Sequence, residues 1–246
     1  MLTVHQGVLA GLITQVAILA ALAGTVGLGV TGGLAGLAYG VAAVGLLSRA
    51  LRRSGPAVLG PADLVTLARS GLVGGIAALV AGSFAGPVPV GLLTALTVAA
   101  LVLDAVDGRV ARYTRTVSAV GARFDMEVDS VLVLLLSVYV ARSLGVWVLA
   151  IGSVRYAYWL AARTLPWLRE PVPPRYWCKV VAAVQGVVLT AVAADVLPGL
   201  VPVLALVVVA ALLAESFGRE AWWLWRRHRT GAGAAPEAWP VGSVHA

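Results

Sequence analysis

The sequence predicts an all-α, polytopic transmembrane helix bundle of about eight spans. Of its 246 residues, 60% are hydrophobic and only 12% are charged, whereas a soluble domain has roughly 25% charged residues. The mean hydropathy is +0.94. Apolar stretches near the ~20 residues needed to cross a bilayer follow one another along the chain. About eight such stretches leave no room for a separate soluble domain.

The first two predicted spans cover residues 7–28 and 30–47, and neither contains a charged residue. The segment 48–63 that follows contains three Arg together with Pro and Gly, which is typical of a loop. We therefore expect residues 1–53 to form two N-terminal helices and residues 54–229 to form a six-helix core. The polar, Pro- and Gly-containing end, residues 230–246, is expected to be a disordered tail.

The distribution of basic residues supports this count of spans. The remaining six spans are predicted at residues 64–81, 88–105, 117–141, 146–165, 180–197 and 200–217. Loops 48–63, 107–116 and 166–179 and the segment after residue 217 contain thirteen Arg and Lys, whereas the opposite loops contain only Arg142. Because short cytoplasmic loops collect positive charge, both termini are predicted to be cytoplasmic. The net charge of +7 thus indicates contact with membrane lipids, and we expect no nucleic-acid partner.

An acidic cluster interrupts this apolar chain, since four of its six Asp lie within residues 104–129. Asp104 and Asp107 are three residues apart and Asp125 and Asp129 are four apart, so each pair shares one helix face. The two neighbouring helices are predicted to place all four carboxylates together at the cytoplasmic side. An ionised Asp inside a membrane costs ~2.5–3.5 kcal/mol, which divalent cations would offset. Oxygen ligands without His or Cys favour Mg²⁺, Mn²⁺ or Ca²⁺, and four carboxylates have room for two ions.

Small and basic residues accompany the aspartates. Gly108 and Gly121 allow a ligand to approach the helix backbone, and Ala111 keeps the next turn small. Arg112 lies five residues after Asp107, within reach of a phosphate bound at the metals. Metals that neutralise a pyrophosphate, together with a carboxylate that accepts a proton from an attacking hydroxyl, indicate phosphate-transfer chemistry.

These residues resemble the CDP-alcohol phosphatidyltransferase family, whose motif is D-x2-D-G-x2-A-R-x8-G-x3-D-x3-D. Every fixed position is matched. The resemblance implies that the first three aspartates bind the metals and that Asp129 lies at the metal site and acts as the base. It implies two Mg²⁺ or Mn²⁺ ions as cofactors. The residues implied to bind the CDP group are Asp104, Asp107, Gly108, Ala111, Arg112, Gly121 and Asp125.

The reaction implied by the resemblance is attack by an acceptor hydroxyl on the β-phosphorus of a CDP-linked lipid, with release of CMP. CDP-diacylglycerol is the expected donor, and phospholipid biosynthesis is the expected process. A small polar or phosphorylated alcohol is the expected acceptor. Weaker similarity extends over residues 63–217, and the residues that it implies for acceptor binding are Arg155, Arg163, Arg175 and Lys179.

Four departures from the family pattern accompany this weaker similarity. Lys179 and Gln185 are similar to a K-x-K-T-x-x-Q pattern, in which Val181 and Ala182 replace Lys and Thr. At the start of the first core helix, Asp63 replaces Asn in the sequence Asp63-x2-Thr66-x2-Arg69. Tyr156 replaces a Glu beside Arg155. The two N-terminal helices have no counterpart in the six-span core, and whether they bind a partner, extend a homodimer or shape a lipid entrance stays open.

Two other interpretations use the same aspartates. A divalent-cation transporter or channel could conduct through them, but residues 93–103 and 131–140, which continue these spans outward, are predominantly apolar. Such a pathway also gives Arg112 no role. Alternatively, the aspartates could form a buried ion-pair network with Arg109, Arg112 and Arg123, which would explain neither the glycines nor the fixed spacing.

Overall fold

The protein folds into a bundle of helices. The computed structural model describes residues 4–53, 61–114, 119–170, 172 and 176–229, and these contain eight α-helices, two short 3₁₀ segments and no β-strand. The predicted all-α class is therefore confirmed. The helices are α1 (Val4–Val26), α2 (Val30–Arg53), α3 (Pro61–Gly82), α4 (Val90–Thr114), α5 (Ala119–Leu144), α6 (Leu149–Thr164), α7 (Tyr176–Ala193) and α8 (Val201–Arg229).

Four helices in the described part of the chain are long and apolar enough to cross a membrane: Leu9–Val26, Val30–Ala50, Val65–Gly82 and Val201–Arg229. Two shorter apolar helices cover Val90–Val106 and Trp177–Ala193. Helix α5 carries five charged residues and α6 has only 16 residues, so neither reaches the same length and composition. The chain is a helical membrane bundle, whereas the total of eight spans stays a prediction.

The helices extend beyond several predicted boundaries. Helix α4 continues to Thr114, so the expected loop at 107–116 was wrong for residues 107–114. Good helix formers such as Arg109 and Arg112 follow Asp107, and no proline interrupts the segment. Helix α8 likewise continues past residue 217 to Arg229. The predicted span 146–165 is divided into a 3₁₀ turn, Val146–Val148, and α6. Residues 54–60, 115–118 and the predicted tail lie outside the described residues.

Helix α3 is the central element of the bundle. Within its span Val65–Gly82, 72% of the residues are buried, compared with 17% in the span of α1. It packs against α1 and α2 on one side and against α4 and α5 on the other. The residues that it buries include Val73, Ile76 and Leu79. The side chains of α3 therefore connect the N-terminal helices with the helices that carry the acidic cluster.

Candidate active site

Three aspartates converge where α3, α4 and α5 meet. Asp104 lies in α4, whereas Asp125 and Asp129 lie one turn apart in α5. One carboxylate oxygen from each residue lies within 4.8 Å of the other two. The structure thus brings together three of the four predicted metal ligands. The side chain of Asp107, the fourth, lies outside the described residues, although α4 places its backbone one turn after Asp104.

A buried arginine lies among these carboxylates. The guanidinium of Arg69 donates hydrogen bonds to Asp104 and Asp125, and its Nη1 donates to Oδ1 of Asp129 at 2.6 Å. The Arg69 side chain is 0% exposed, whereas the three carboxylates are 30–44% exposed. The arginine therefore covers the protein side of the cluster, and the carboxylates keep an accessible side where a ligand can bind.

The sequence of α3 explains the position of Arg69. Asp63, Thr66, Arg69 and Ser70 are buried and recur at helical spacing on one face of α3. In the sequence, Arg69 belongs to the pattern that begins at Asp63, but it was not among the predicted site residues. Of the arginines considered as alternative ion-pair partners, Arg109 and Arg123 have exposed side chains.

The geometry of the cluster fits a divalent cation. Oxygens within 4.8 Å of one another can contact one Ca²⁺ ion, whose two opposite ligands lie up to ~5.2 Å apart, whereas Mg²⁺ requires oxygens within ~4.2 Å. The donors are all carboxylate oxygens, which hard cations prefer. Asp104, Asp125 and Asp129 are therefore the described side chains that could hold such an ion.

The other residues predicted to bind the CDP group lie on the same two helices. Gly108 is half-buried in α4, four residues after Asp104, and Gly121 is half-buried in α5, four residues before Asp125. The side chains of Ala111 and Arg112 lie outside the described residues. The helix register places both glycines within about one turn of the aspartates.

The residues predicted to bind the acceptor are dispersed over α6 and α7. Nη2 of Arg155 donates to Oε1 of Glu127 at 2.9 Å, and these side chains are 37% and 44% exposed. The exposed Arg163 lies over the Trp159 ring at 3.8 Å. Lys179 is exposed at the start of α7. Arg175 lies outside the described residues.

Glu127 forms an ion pair that was not predicted from the sequence. It lies in α5 between Asp125 and Asp129, and a shift of two residues turns its side chain towards the opposite side of the helix. From there it pairs with Arg155 of α6. The only sequence signal for this pair was the position of Glu127, which is two residues from each aspartate and therefore does not share their four-residue spacing.

A membrane helix bundle that gathers carboxylates between two adjacent helices defines a class of integral-membrane protein with an acidic site among its helices. Comparison with known families matches residues 60–215 to CDP-alcohol phosphatidyltransferase. The match covers more than half of the chain, which belongs to this family, and it begins just before α3. Helices α1 and α2 lie outside it. Searches of curated proteins and of solved structures gave no match.

Membership of this family supports transfer of a phosphatidyl or related phosphate group from a CDP-alcohol. The matched region contains the three converging aspartates and Arg69. The acidic site therefore lies within the part of the chain that matches the family. The family that the aspartate motif predicted is therefore confirmed.

Proposed function

We propose that the protein is a metal-dependent phosphatidyltransferase that moves a substituted phosphate from CDP-diacylglycerol to an acceptor alcohol, with release of CMP, in phospholipid biosynthesis. The convergence of Asp104, Asp125 and Asp129 within the family-matched region supports this proposal most directly. Asp107, one turn from Asp104, completes the proposed ligand set. These four residues would hold two Mg²⁺ or Mn²⁺ ions, which supply charge neutralisation for the pyrophosphate when bound.

The reaction requires a proton acceptor and a binding site for the leaving group. Asp129 takes the proton of the acceptor hydroxyl, whose oxygen then forms a bond to the β-phosphorus of the donor. The bond between this phosphorus and the oxygen that bridges it to CMP breaks, and CMP leaves. Gly108, Ala111 and Gly121 leave space for the cytidine group, and Arg112 binds a donor phosphate.

The acceptor is proposed to bind at basic residues on and next to α6 and α7. Arg155 is held by Glu127 at 2.9 Å, which gives its guanidinium a fixed direction while leaving other donors for a ligand. Arg163, Arg175 and Lys179 complete the proposed set. A small polar or phosphorylated alcohol fits such a basic surface, which faces the cytoplasm if the thirteen basic residues are on the inner side.

The site is proposed to lie at the cytoplasmic end of its helices in the cell membrane. Helices α1 and α2 precede a core of α3–α8, and both termini are cytoplasmic in this arrangement. The donor lipid reaches the aspartates from the bilayer, and the acceptor reaches them from water. A homodimer stays a prediction.

The direct test is release of CMP by the purified protein. Protein in detergent is supplied with CDP-diacylglycerol, Mg²⁺ and, in turn, inositol phosphate, glycerol phosphate and serine. We expect CMP release with one acceptor and its abolition by EDTA. A folded, metal-binding protein that releases no CMP with any acceptor would refute the proposal. Mn²⁺-dependent binding of CMP separates this enzyme from a cation channel, which has no use for cytidine.

A further inference from the structure

The N-terminal hairpin, defined as α1 and α2, is docked on α3 through a row of glycines. Gly32 and Gly36, one turn apart along α2, face α3, and Gly40, one turn further, faces Gln15 of α1. A Cβ atom on Gly32 would lie 2.7 Å from the backbone oxygen of Ala78 in α3, and one on Gly36 would lie 3.2 Å from that of Gly74. Backbones at this separation have no space for larger side chains, which is how small residues let membrane helices pack closely.

A buried glutamine of α1 contacts both α2 and α3 at the same interface. Gln15 is 4% exposed, and its Nε2 donates to the backbone oxygen of Gly36 in α2 at 3.1 Å. Its amide also fills the space beside Gly74 of α3, where a Cβ atom would lie 2.2 Å from Nε2. One polar side chain thus joins α1, α2 and α3. The hairpin is part of the bundle although it lies outside the family match.

The hairpin also brings a polar group beside the aspartate site. The hydroxyl of Tyr39 in α2 is hydrogen-bonded to Oγ of Ser70 in α3 at 3.1 Å. Ser70 is buried and directly follows Arg69. Helix α2 additionally contacts α5, which carries two of the aspartates.

We propose that the N-terminal hairpin sets the metal affinity of the aspartate site, with Tyr39 as a positioning residue that holds Arg69 among the three carboxylates. This inference rests on the proposed function, because it requires that the aspartates bind metal. Arg69 donates to Oδ1 of Asp104, Asp125 and Asp129, and its positive charge would repel a cation held by the same carboxylates. The arginine and the cation therefore compete.

Because Arg69 and the cation compete, loss of a positioning contact should change metal-free stability and metal affinity in opposite directions. A contact that keeps Arg69 in place stabilises the metal-free site and weakens metal binding. Loss of the Tyr39 hydroxyl should therefore lower metal-free stability and tighten metal binding. A variant that merely disturbs the fold would weaken both.

The test measures Mn²⁺ binding to the full-length protein by electron paramagnetic resonance, with thermal unfolding measured in EDTA and in saturating Mn²⁺. Tyr39→Phe is expected to lower the half-saturating Mn²⁺ concentration about 3- to 10-fold, the effect of one hydrogen bond. Its unfolding temperature should fall in EDTA only. Tyr139→Phe is the matched control, since Tyr139 lies ten residues beyond Asp129, about 15 Å along α5. It should bind Mn²⁺ like the wild type.

Two further comparisons make the inference specific to Arg69 and to the hairpin. In an Arg69→Met background, Tyr39→Phe should change Mn²⁺ binding less than 2-fold. Gly32→Ala, which meets the Ala78 backbone, should tighten Mn²⁺ binding, whereas Gly33→Ala, with no atom within 4 Å, should not. Where Arg69→Met is too unstable without metal, Arg69→Gln, which removes the charge and keeps a hydrogen-bond donor, replaces it.

Wild-type-like or weaker Mn²⁺ binding by Tyr39→Phe would overturn the inference, as would a tightening that persists in the Arg69 variant. A wild-type protein that binds no Mn²⁺ would instead refute the metal site of the proposed function. Mn²⁺ binding by the wild-type protein therefore distinguishes failure of this inference from failure of the proposed function.

Discussion

Replacement of Arg69 by Met tests whether the arginine stabilises the metal-free site. The substitution keeps an unbranched side chain of similar length and removes the guanidinium. Asp104, Asp125 and Asp129 would then face one another without their shared cation. We expect a protein that is destabilised without metal and restored by it.

The magnitude follows from the burial of the partners. Breaking a fully buried ion pair costs about 3–5 kcal/mol, whereas an exposed pair contributes up to about 1 kcal/mol. Arg69 is 0% exposed but its partners are 30–44% exposed, so we expect an intermediate loss of about 2–4 kcal/mol. At about 2–4 °C per kcal/mol for a chain of this size, the unfolding temperature should fall by about 5–15 °C.

The assay is thermal unfolding in detergent, followed by the fluorescence of the eight tryptophans, in EDTA and in saturating Mg²⁺. Arg219→Met is the matched control. Arg219 also pairs with a carboxylate, Glu215 at 2.8 Å, but the two side chains are 66% and 41% exposed. This control should lose at most about 1 kcal/mol. Equal unfolding temperatures for Arg69→Met and the wild type in EDTA would refute the reasoning, as would an equal loss in the control.

Three further predictions concern the reaction, the acceptor side and the packing of α6. Asp129→Asn should reduce kcat for CMP release by about 10²- to 10⁴-fold, the usual contribution of a general base. Mn²⁺ binding measured in parallel shows whether the substitution removes the metal as well as the base. Glu127→Gln should raise KM for the acceptor several-fold by releasing Arg155, while thermal unfolding shows a stability change below about 1 kcal/mol because the pair is partly exposed. Gly152→Ala should cost about 1–3 kcal/mol in the same unfolding assay, since its Cβ atom would lie 2.9 Å from Cα of Leu134; Gly218→Ala, in open space, should be neutral or stabilising.

Prediction from the sequence succeeded where one local pattern determines the outcome. Long apolar segments predict membrane helices, and the spacing of Asp104, Asp125 and Asp129 predicts that their carboxylates meet between adjacent helices. Their predicted place at the end of a span was wrong for Asp104, because α4 continues ten residues beyond it. These patterns depend on helix period and length, which the sequence shows directly. The family assignment rests on the same spacing.

The partners across helices could not be predicted in this way. Arg69 precedes Asp129 by sixty residues. The pattern that begins at Asp63 includes Arg69, but it does not show that Arg69 pairs with the aspartates in place of Arg109 or Arg123, whose exposed side chains lie nearer along the chain. Tertiary packing made the choice, because α3 packs against α1, α2, α4 and α5 and buries Arg69 beside both helices that carry the aspartates. Likewise, Gly32 indicates a close helix contact but not which helix provides it.

The order of the helices along the chain has a consequence for biogenesis. Helix α3 is synthesised before α4 and α5, so Arg69 is made before any of its three carboxylate partners. An arginine at the centre of a membrane helix costs ~2.5–3.5 kcal/mol on insertion scales, and less near its end. The helices available at that moment are α1 and α2, whose Tyr39 and Gln15 provide polar groups against α3. A nascent chain therefore has a docking surface ready for its charged helix before the acidic helices are complete.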